Sequence, residues 1–182
     1  MVLKVYGCRG SAPVSRPGGS AYGANTSCIQ LTSGDESLVL DAGSGIMVLR
    51  DELCKQEPKL INILNSHLHL DHVIGLGTFD PVWNKKPGVR FYTISRDKRP
   101  IKEQIGDLYS PPFWPVSLAD SDAFEVVEIK EEVSFKIGVF TVTPFDVWVM
   151  ANDGDRSLIT LITCDYRTDP MGRFIVRGEL IP

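Results

Sequence analysis

Residues 2–7 alternate apolar and polar side chains and end at Gly7, which predicts a strand closed by a turn. Residues 9–25 are rich in Gly, Ser, Pro and Asn and read as a long loop, a kind that in compact domains is functional or mobile. Two apolar-leaning segments, 27–32 and 37–41, flank Ser33-Gly34-Asp35-Glu36 and predict a hairpin. Asp41-Ala42-Gly43-Ser44-Gly45 then breaks the strand, with Gly43 or Ser44 as a helix start. Ile46, Leu49 and Leu53 recur at i, i+3 and i+7, one face of a helix that Pro58 stops. Leu60-Ile61-Asn62-Ile63-Leu64 is short and apolar enough for a buried strand. Val73 to Phe79 reads as a short helix, Val89-Arg90-Phe91-Tyr92-Thr93-Ile94 as a strand, and 96–108 as a helix whose start Pro100 obscures. Residues 110–115 form a Pro-rich loop. Residues 124–149 carry β-rich segments with expected breaks at Glu131-Glu132, Gly138 and Pro144. Residues 157–163 form an apolar strand ending at Cys164-Asp165, and beyond Arg167 the signals are weak. Strands and helices in this order give an α/β fold.

The chain has 182 residues, 43% of them hydrophobic, which suffices for one domain over 1–182 with a real core. A net charge of −4 argues against a surface built wholly for nucleic acid. No apolar run approaches the roughly 20 residues of a membrane span, and the N-terminus lacks a signal-peptide core. Cys8, Cys28, Cys54 and Cys164 are scattered with no C-x-x-C pair. Reduced thiols, and so a cytoplasmic location, are the expectation.

The chemistry concentrates in Ser66-His67-Leu68-His69-Leu70-Asp71-His72. The chain has three histidines, and all lie here. Histidine used for packing or charge would be scattered. Three imidazoles and a carboxylate within six residues, just beyond a buried strand, suit metal ligation, since neutral imidazole is the commonest protein metal ligand. In an extended backbone alternate side chains share a side, so His67 and His69 face one ion. After a bend, Asp71 and His72 face a second. No cysteine is near enough to close a structural zinc site, which favours an open, catalytic type of centre.

His67-Leu68-His69-Leu70-Asp71-His72 resembles the H-x-H-x-D-H motif of the metallo-β-lactamase superfamily. Gly7-Cys8-Arg9-Gly10-Ser11 with Pro13, and Tyr22-Gly23-Ala24-Asn25-Thr26-Ser27-Cys28, are similar to the N-terminal signature of its phosphodiesterase branch, which includes tRNase Z and cyclic phosphodiesterases. Asp41-Ala42-Gly43-Ser44-Gly45 resembles the family's strand-to-helix turn, and Leu161-Ile162-Thr163-Cys164-Asp165 its late strand ending in a metal-bridging Asp. The resemblance implies an αβ/βα sandwich with a truncated C-terminal half. It implies His67 and His69 on a first metal, Asp71 and His72 on a second, and Asp165 bridging both. The metal is Zn²⁺ by default, as one or two ions, with Mn²⁺ or Fe suiting the same donors. Asp71 carries a further catalytic role, orienting or accepting a proton from metal-bound water. Two family histidines have no counterpart: Thr143-Pro144 stands where one is expected, and the chain ends at Pro182, before the segment that supplies the other. The implied function is hydrolysis of a phosphodiester, in a cyclic nucleotide, a nucleotide-like ester or RNA, by a metal-bound hydroxide. The alternatives are a degenerate fold or fragment that binds without turnover, a homodimer that completes itself, and a thioester hydrolase of the same superfamily.

Other residues have a plainer reading beside the functional one. Asp41 either orients a metal-binding His or accepts backbone N–H bonds at its turn. Asn25, Thr26 and Ser27 either line a substrate pocket or satisfy their own loop. Cys164, neighbouring Asp165 on a strand, points to the opposite face and belongs to the core. Lys85, Lys86, Arg90, Arg96, Lys98, Arg99 and Lys102 either draw in a phosphate or form a solvated face. Trp83, Phe113 and Trp114 either stack on a base or anchor loops. Asp153 and Asp155 fit a hairpin turn better than a calcium loop.

Overall fold

The computed structural model describes residues 1–15, 21–55, 58–85, 87–95, 98–146, 158–165 and 172–179, with the side chains of residue 54 and of those beyond 144 outside that description. Six strands form the first sheet in the order β1 (Val2–Gly7), β2 (Cys28–Ser33), β3 (Glu36–Leu40), β4 (Leu60–Leu64), β5 (Gly88–Thr93) and β6 (Phe124–Glu128). The first three run antiparallel, joined by the expected hairpin with Ser33 opposite Glu36. From β3 to β6 all pairs are parallel. Parallel neighbours need crossovers, and these carry α1 (Ile46–Lys55), α2 (Leu70–Val73) and α3 (Ile101–Leu108). The second sheet has the order β7 (Phe135–Ile137), β8 (Phe140–Asp146), β10 (Gly172–Glu179) and β9 (Leu158–Asp165), all antiparallel.

Alternation sorts the strand side chains between two cores. Val39, Ile61, Ile63, Val89 and Phe91 face the helices, where they pack on Ile46, Leu49, Leu53, Ile101 and Ile105. Leu31, Leu38, Leu40, Leu64 and Tyr92 face the other way, onto Ile137 and Val142 of the second sheet. Both faces of the parallel strands are thus covered, which is why β3 and β4 read as nearly continuous apolar runs. Each fully buried side chain of this kind contributes roughly 1.5–3 kcal/mol relative to exposure.

Three expectations need correction. The helix after the histidine motif begins at Leu70, before Val73, so it carries Asp71 and His72 itself; a 3-10 turn at Leu76–Thr78 follows. Gly75 and Gly77 lie in that stretch, and glycine is a poor helix residue. The third helix starts only at Ile101, because Pro100 and the restriction it places on its predecessor exclude an earlier start. Pro144 does not break β8 but sits within it, opposite Val176. Its carbonyl accepts Glu132 N–H at 2.8 Å on the β7 side. A strand residue's N–H and C=O point the same way, so the missing proline donor is not one that the β10 ladder requires. Strand β10 is an element that the sequence pattern did not predict.

Candidate metal centre

Parallel sheets present ligand groups beyond the carboxyl ends of their strands. Here Asp41 follows β3 and Asn65 to His72 follow β4, its parallel neighbour. Asp41 adopts a left-handed backbone with φ +61°, rare outside glycine but tolerated by Asp, whose side chain makes local hydrogen bonds. The chain that follows is laced to the motif helix. Ala42 N–H donates to the His72 carbonyl at 2.8 Å, and Gly75 N–H donates to the Ala42 carbonyl at 2.9 Å. Gly43 is required by this approach, because a Cβ there would run into the Asp71 carbonyl, Thr26 Oγ1 (2.5 Å) and Ser27 carbonyl (2.6 Å). Gly75 meets the Gly43 carbonyl in the same way.

Asp41 is 3% exposed, and each of its carboxylate oxygens accepts two hydrogen bonds. Oδ1 accepts from Ser66 N–H and Ser66 Oγ, both at 2.8 Å. Oδ2 accepts from Ser27 Oγ at 2.8 Å and lies 2.7 Å from His72 Nδ1. Burial pushes the carboxyl upward, but the hydrogen bond and charge of His72, with Ser66 and Ser27, outweigh it and hold the group below its ordinary range. For His72, burial alone would lower the ring's pKa, yet Asp41 raises it above the ordinary value. Asp41 thus accepts a backbone N–H, not from its own turn but from Ser66 beyond β4, and holds the His72 ring from behind.

The three imidazoles meet. His67 lies with its ring centroid 4.2 Å from that of His69 and 4.2 Å from that of His72. Burial, followed by the charges of His72 and His69, pushes His67 down to about 4, so its ring is neutral at physiological pH. Asp71 stands beside them, its Oδ2 at 3.4 Å from His72 Nε2 and accepting Ser11 N–H at 2.9 Å. Ser11 has φ +66°, a second left-handed non-glycine residue bordering the cluster. Asn65, 1% exposed, donates from Nδ2 to the His67 carbonyl at 2.6 Å and so holds the bend into the motif. The intervening Leu68 and Leu70, with Val73, line a cavity of about 330 Å³ against Ile105 and Leu108 of α3.

Asp165 is the last residue of β9, paired with Gly172, and its side chain lies outside the described residues, as does that of Cys164. Thr143 Oγ1 lies 2.7 Å from Ser134 Oγ, a pairing within the second sheet and its approach. Asn25 donates to the Tyr6 carbonyl at 3.4 Å and accepts from Ser44 Oγ at 3.1 Å, a brace for the N-terminal loop. Thr26 and Ser44 exchange two bonds of the same kind. Lys85, Arg90 and Arg99 pair with Asp122, Glu125 and Asp107, as a solvated face would. Trp83 donates to the Gly77 carbonyl at 2.9 Å and Trp114 packs edge-on against Tyr109, both loop anchors. Lys86, Arg96, Asp153 and Asp155 lie outside the described residues. Sequence reasoning quoted Ser66 and Ser11 in their motifs but gave neither a role of its own, and for Ser27 it offered a pocket or its own loop rather than Asp41 as partner. Among the described residues no group of three or more His, Cys, Asp or Glu is arranged so that it could hold a metal ion. The donor types nevertheless suit a divalent ion: neutral imidazole, a carboxylate at the edge, and a buried carboxylate behind one ring.

A mixed sheet covered by helices on one face and by a second sheet on the other, with a histidine-rich loop beyond a parallel strand, defines the architecture as α/β with its candidate site at the carboxyl ends of the strands. The family model of the metallo-beta-lactamase superfamily matches residues 21–145, and the chain belongs to that superfamily, most of whose members are metal-dependent hydrolases. The metallo-beta-lactamase fold protein YhfI from Bacillus subtilis superposes with a TM-score of 0.59 at 17% identity, covering 96% of this chain and 56% of that one. A diphosphatase of the PhnP family gives 0.58 at 14% identity, covering 97% and 61%. Zn²⁺-bound PqqB from Methylobacterium extorquens gives 0.57 at 17% identity, covering 80% and 55%. The chain thus spans little more than half the length of these structures. No curated protein matches it in sequence. No helix among the described residues is long and apolar enough to cross a membrane.

Proposed function

We propose that this chain carries the metal centre of a phosphodiesterase. The observation that carries the reading is the meeting of His67, His69 and His72 beside Asp71, with Asp41 fixed behind His72. His67 and His69 would hold one divalent ion and Asp71 and His72 a second, with Asp165 as the shared donor; zinc is the default and manganese or iron suit the same set. Such ions lower the pKa of a water they bind and neutralise charge developing on a phosphoryl oxygen. The protein's own residues do the rest. Asp41 keeps His72 oriented, Ser11 N–H fixes one Asp71 oxygen, and the other Asp71 oxygen would serve to orient or accept a proton from a water at the centre. Phosphodiesters, as a small nucleotide-like ester or as RNA, are favoured over thioesters by the Gly7–Cys28 signature of that branch. Four scattered cysteines suit a reducing, cytoplasmic setting.

One observation favours the second reading, a fold that binds without turnover, alone or as a homodimer. Thr143, which the resemblance sets where a metal-binding histidine is expected, offers no nitrogen, and its hydroxyl is engaged with Ser134. Turnover of bis-p-nitrophenyl phosphate by chelator-stripped protein, titrated with Zn²⁺ or Mn²⁺, separates the two. The hydrolase reading expects metal-dependent turnover that His69→Ala abolishes. Metal binding without turnover of phosphodiester or thioester substrates would favour the binding protein.

A further inference from the structure

Ser66 stands where three groups of the site meet. Its hydroxyl lies 2.8 Å from Asp41 Oδ1, 3.1 Å from His67 Nδ1 and 3.1 Å from His72 Nδ1, and the residue is 6% exposed. A hydroxyl has one proton to give and lone pairs to accept with. The ionised Asp41 carboxylate only accepts, so the Ser66 proton goes to Asp41 in a charge-assisted bond. What remains at the serine oxygen is acceptor capacity, turned toward His67 Nδ1. A lone pair on that nitrogen would face lone pairs on the serine, whereas a proton makes a hydrogen bond.

We propose that Ser66 is a positioning residue that sets the tautomer of His67. Asp41 fixes His72 directly, accepting its Nδ1–H, and fixes His67 through the Ser66 hydroxyl, which accepts the Nδ1–H of that ring. Both rings then carry their lone pair on Nε2. One buried carboxylate thereby prepares two imidazoles, and the second depends on a single hydroxyl. The tautomer itself is a property of the metal-free protein. Only its consequence, that Nε2 is the nitrogen offered to an ion, rests on the hydrolase reading above.

The test is long-range ¹H–¹⁵N correlation of the imidazole rings in metal-free, ¹⁵N-labelled protein, on the alkaline plateau where all three rings are neutral. The chain has three histidines, so three ring systems appear, assigned by His→Asn variants. His67 is expected as the Nδ1–H form in the wild type. It relaxes toward the Nε2–H form in Ser66→Ala and returns in Ser66→Thr, which restores the hydroxyl. An Nε2–H His67 in the wild type overturns the proposal, and so does an unchanged His67 in a folded Ser66→Ala. If Ser66→Ala does not fold, the wild-type tautomer, compared with Ser66→Thr, decides the matter: the Nδ1–H form in both supports the proposal and the Nε2–H form overturns it. A second readout is zinc affinity by chelator competition, where Ser66→Ala should lose roughly 10- to 100-fold and Ser66→Thr should keep most of it. Rings in the expected form with no zinc binding in any variant would support this inference and sink the hydrolase reading instead.

Discussion

The His67–His72 loop and the basic stretch from Lys85 to Lys102 follow one another along the chain, and the fold treats them in opposite ways. In the loop, side chains from the start of β2, the end of β4 and α2 converge on one carboxylate at the end of β3. Ser27, Ser66 and His72 all address Asp41, which is nearly inaccessible to water. In the basic stretch the described ion pairs are exposed. Arg90 pairs with Glu125 across two adjacent strands, Arg99 with Asp107, and Lys85 with Asp122. Groups that share a buried partner are coupled, and losing the partner strands them all. Exposed pairs in high dielectric are nearly independent and worth little. Concentration of charge along a sequence therefore signals a site only when a turn brings it to a common buried group.

The largest expected effect that tests this contrast is at Asp41. Asp41→Ala leaves Ser66 N–H, Ser27 Oγ and His72 Nδ1 without their acceptor and should cost roughly 3–5 kcal/mol in urea unfolding. Asp41→Asn, which keeps the shape and tolerates the left-handed backbone, should cost less. Equal and small losses for both would mean that the carboxylate organises nothing. Next come the glycines that let the β3 turn lie against the motif helix. Gly43→Ala or Gly75→Ala should destabilise by roughly 1–3 kcal/mol, the scale of overpacking, with a disordered histidine loop in the folded fraction. Tyr109 is a more distant support. Its hydroxyl donates to the Val73 carbonyl at 2.7 Å, and burial pushes its pKa up to about 12. Tyr109→Phe leaves that buried carbonyl unpaired, at a cost of roughly 1–2 kcal/mol.

The loop should also make the metal-free protein sensitive to pH in two directions. His67 is held at about 4, below the ordinary 6.5, so between these values the unfolded chain binds a proton that the folded one refuses. Stability therefore falls as pH drops from 6.5 toward 4. His72 is raised, so its contribution is complete below 6.5 and is lost as pH rises through its folded value. Asp41 is lowered, and its contribution is present above 3.8 and lost as pH falls through its folded value. Urea midpoints from pH 4 to 9 should show a maximum near 6.5, and His67→Asn should flatten the acid side alone. The smallest effect belongs to the basic stretch. Arg90→Ala should change stability by less than ~1 kcal/mol, a difference that salt erases.

Much of the first sheet was legible because its strands alternate cleanly and end at strong turn signals. Ser33 to Glu36 marks the hairpin, and Asp41 to Gly45 marks the switch to α1. The motif histidines were legible because nothing else explains three imidazoles in six residues. The groups that organise them were not. Ser27 lies 14 positions from Asp41, Ser66 lies 25, and Ser11 lies 60 from Asp71. A serine hydroxyl has no periodicity, and its partner is fixed only when β3 and β4 pair. Asp41 itself was ambiguous for a physical reason, since a turn-closing Asp and a histidine-orienting Asp have the same local sequence. Pro144 misled because a proline breaks a strand only where a neighbouring strand requires its N–H. Strand β10 escaped notice because Arg173, Arg177 and two flanking glycines dilute a short Phe-Ile-Val core.

The central claim is that His67, His69, Asp71 and His72 form one ion-binding centre. Calorimetric titration of Zn²⁺ into chelator-stripped protein tests it most directly, with His69→Ala and Arg90→Ala compared at unchanged circular dichroism. The account predicts saturable binding that Arg90→Ala leaves intact and His69→Ala weakens at least tenfold. Absence of binding in the wild type, or equal binding in His69→Ala, would contradict it.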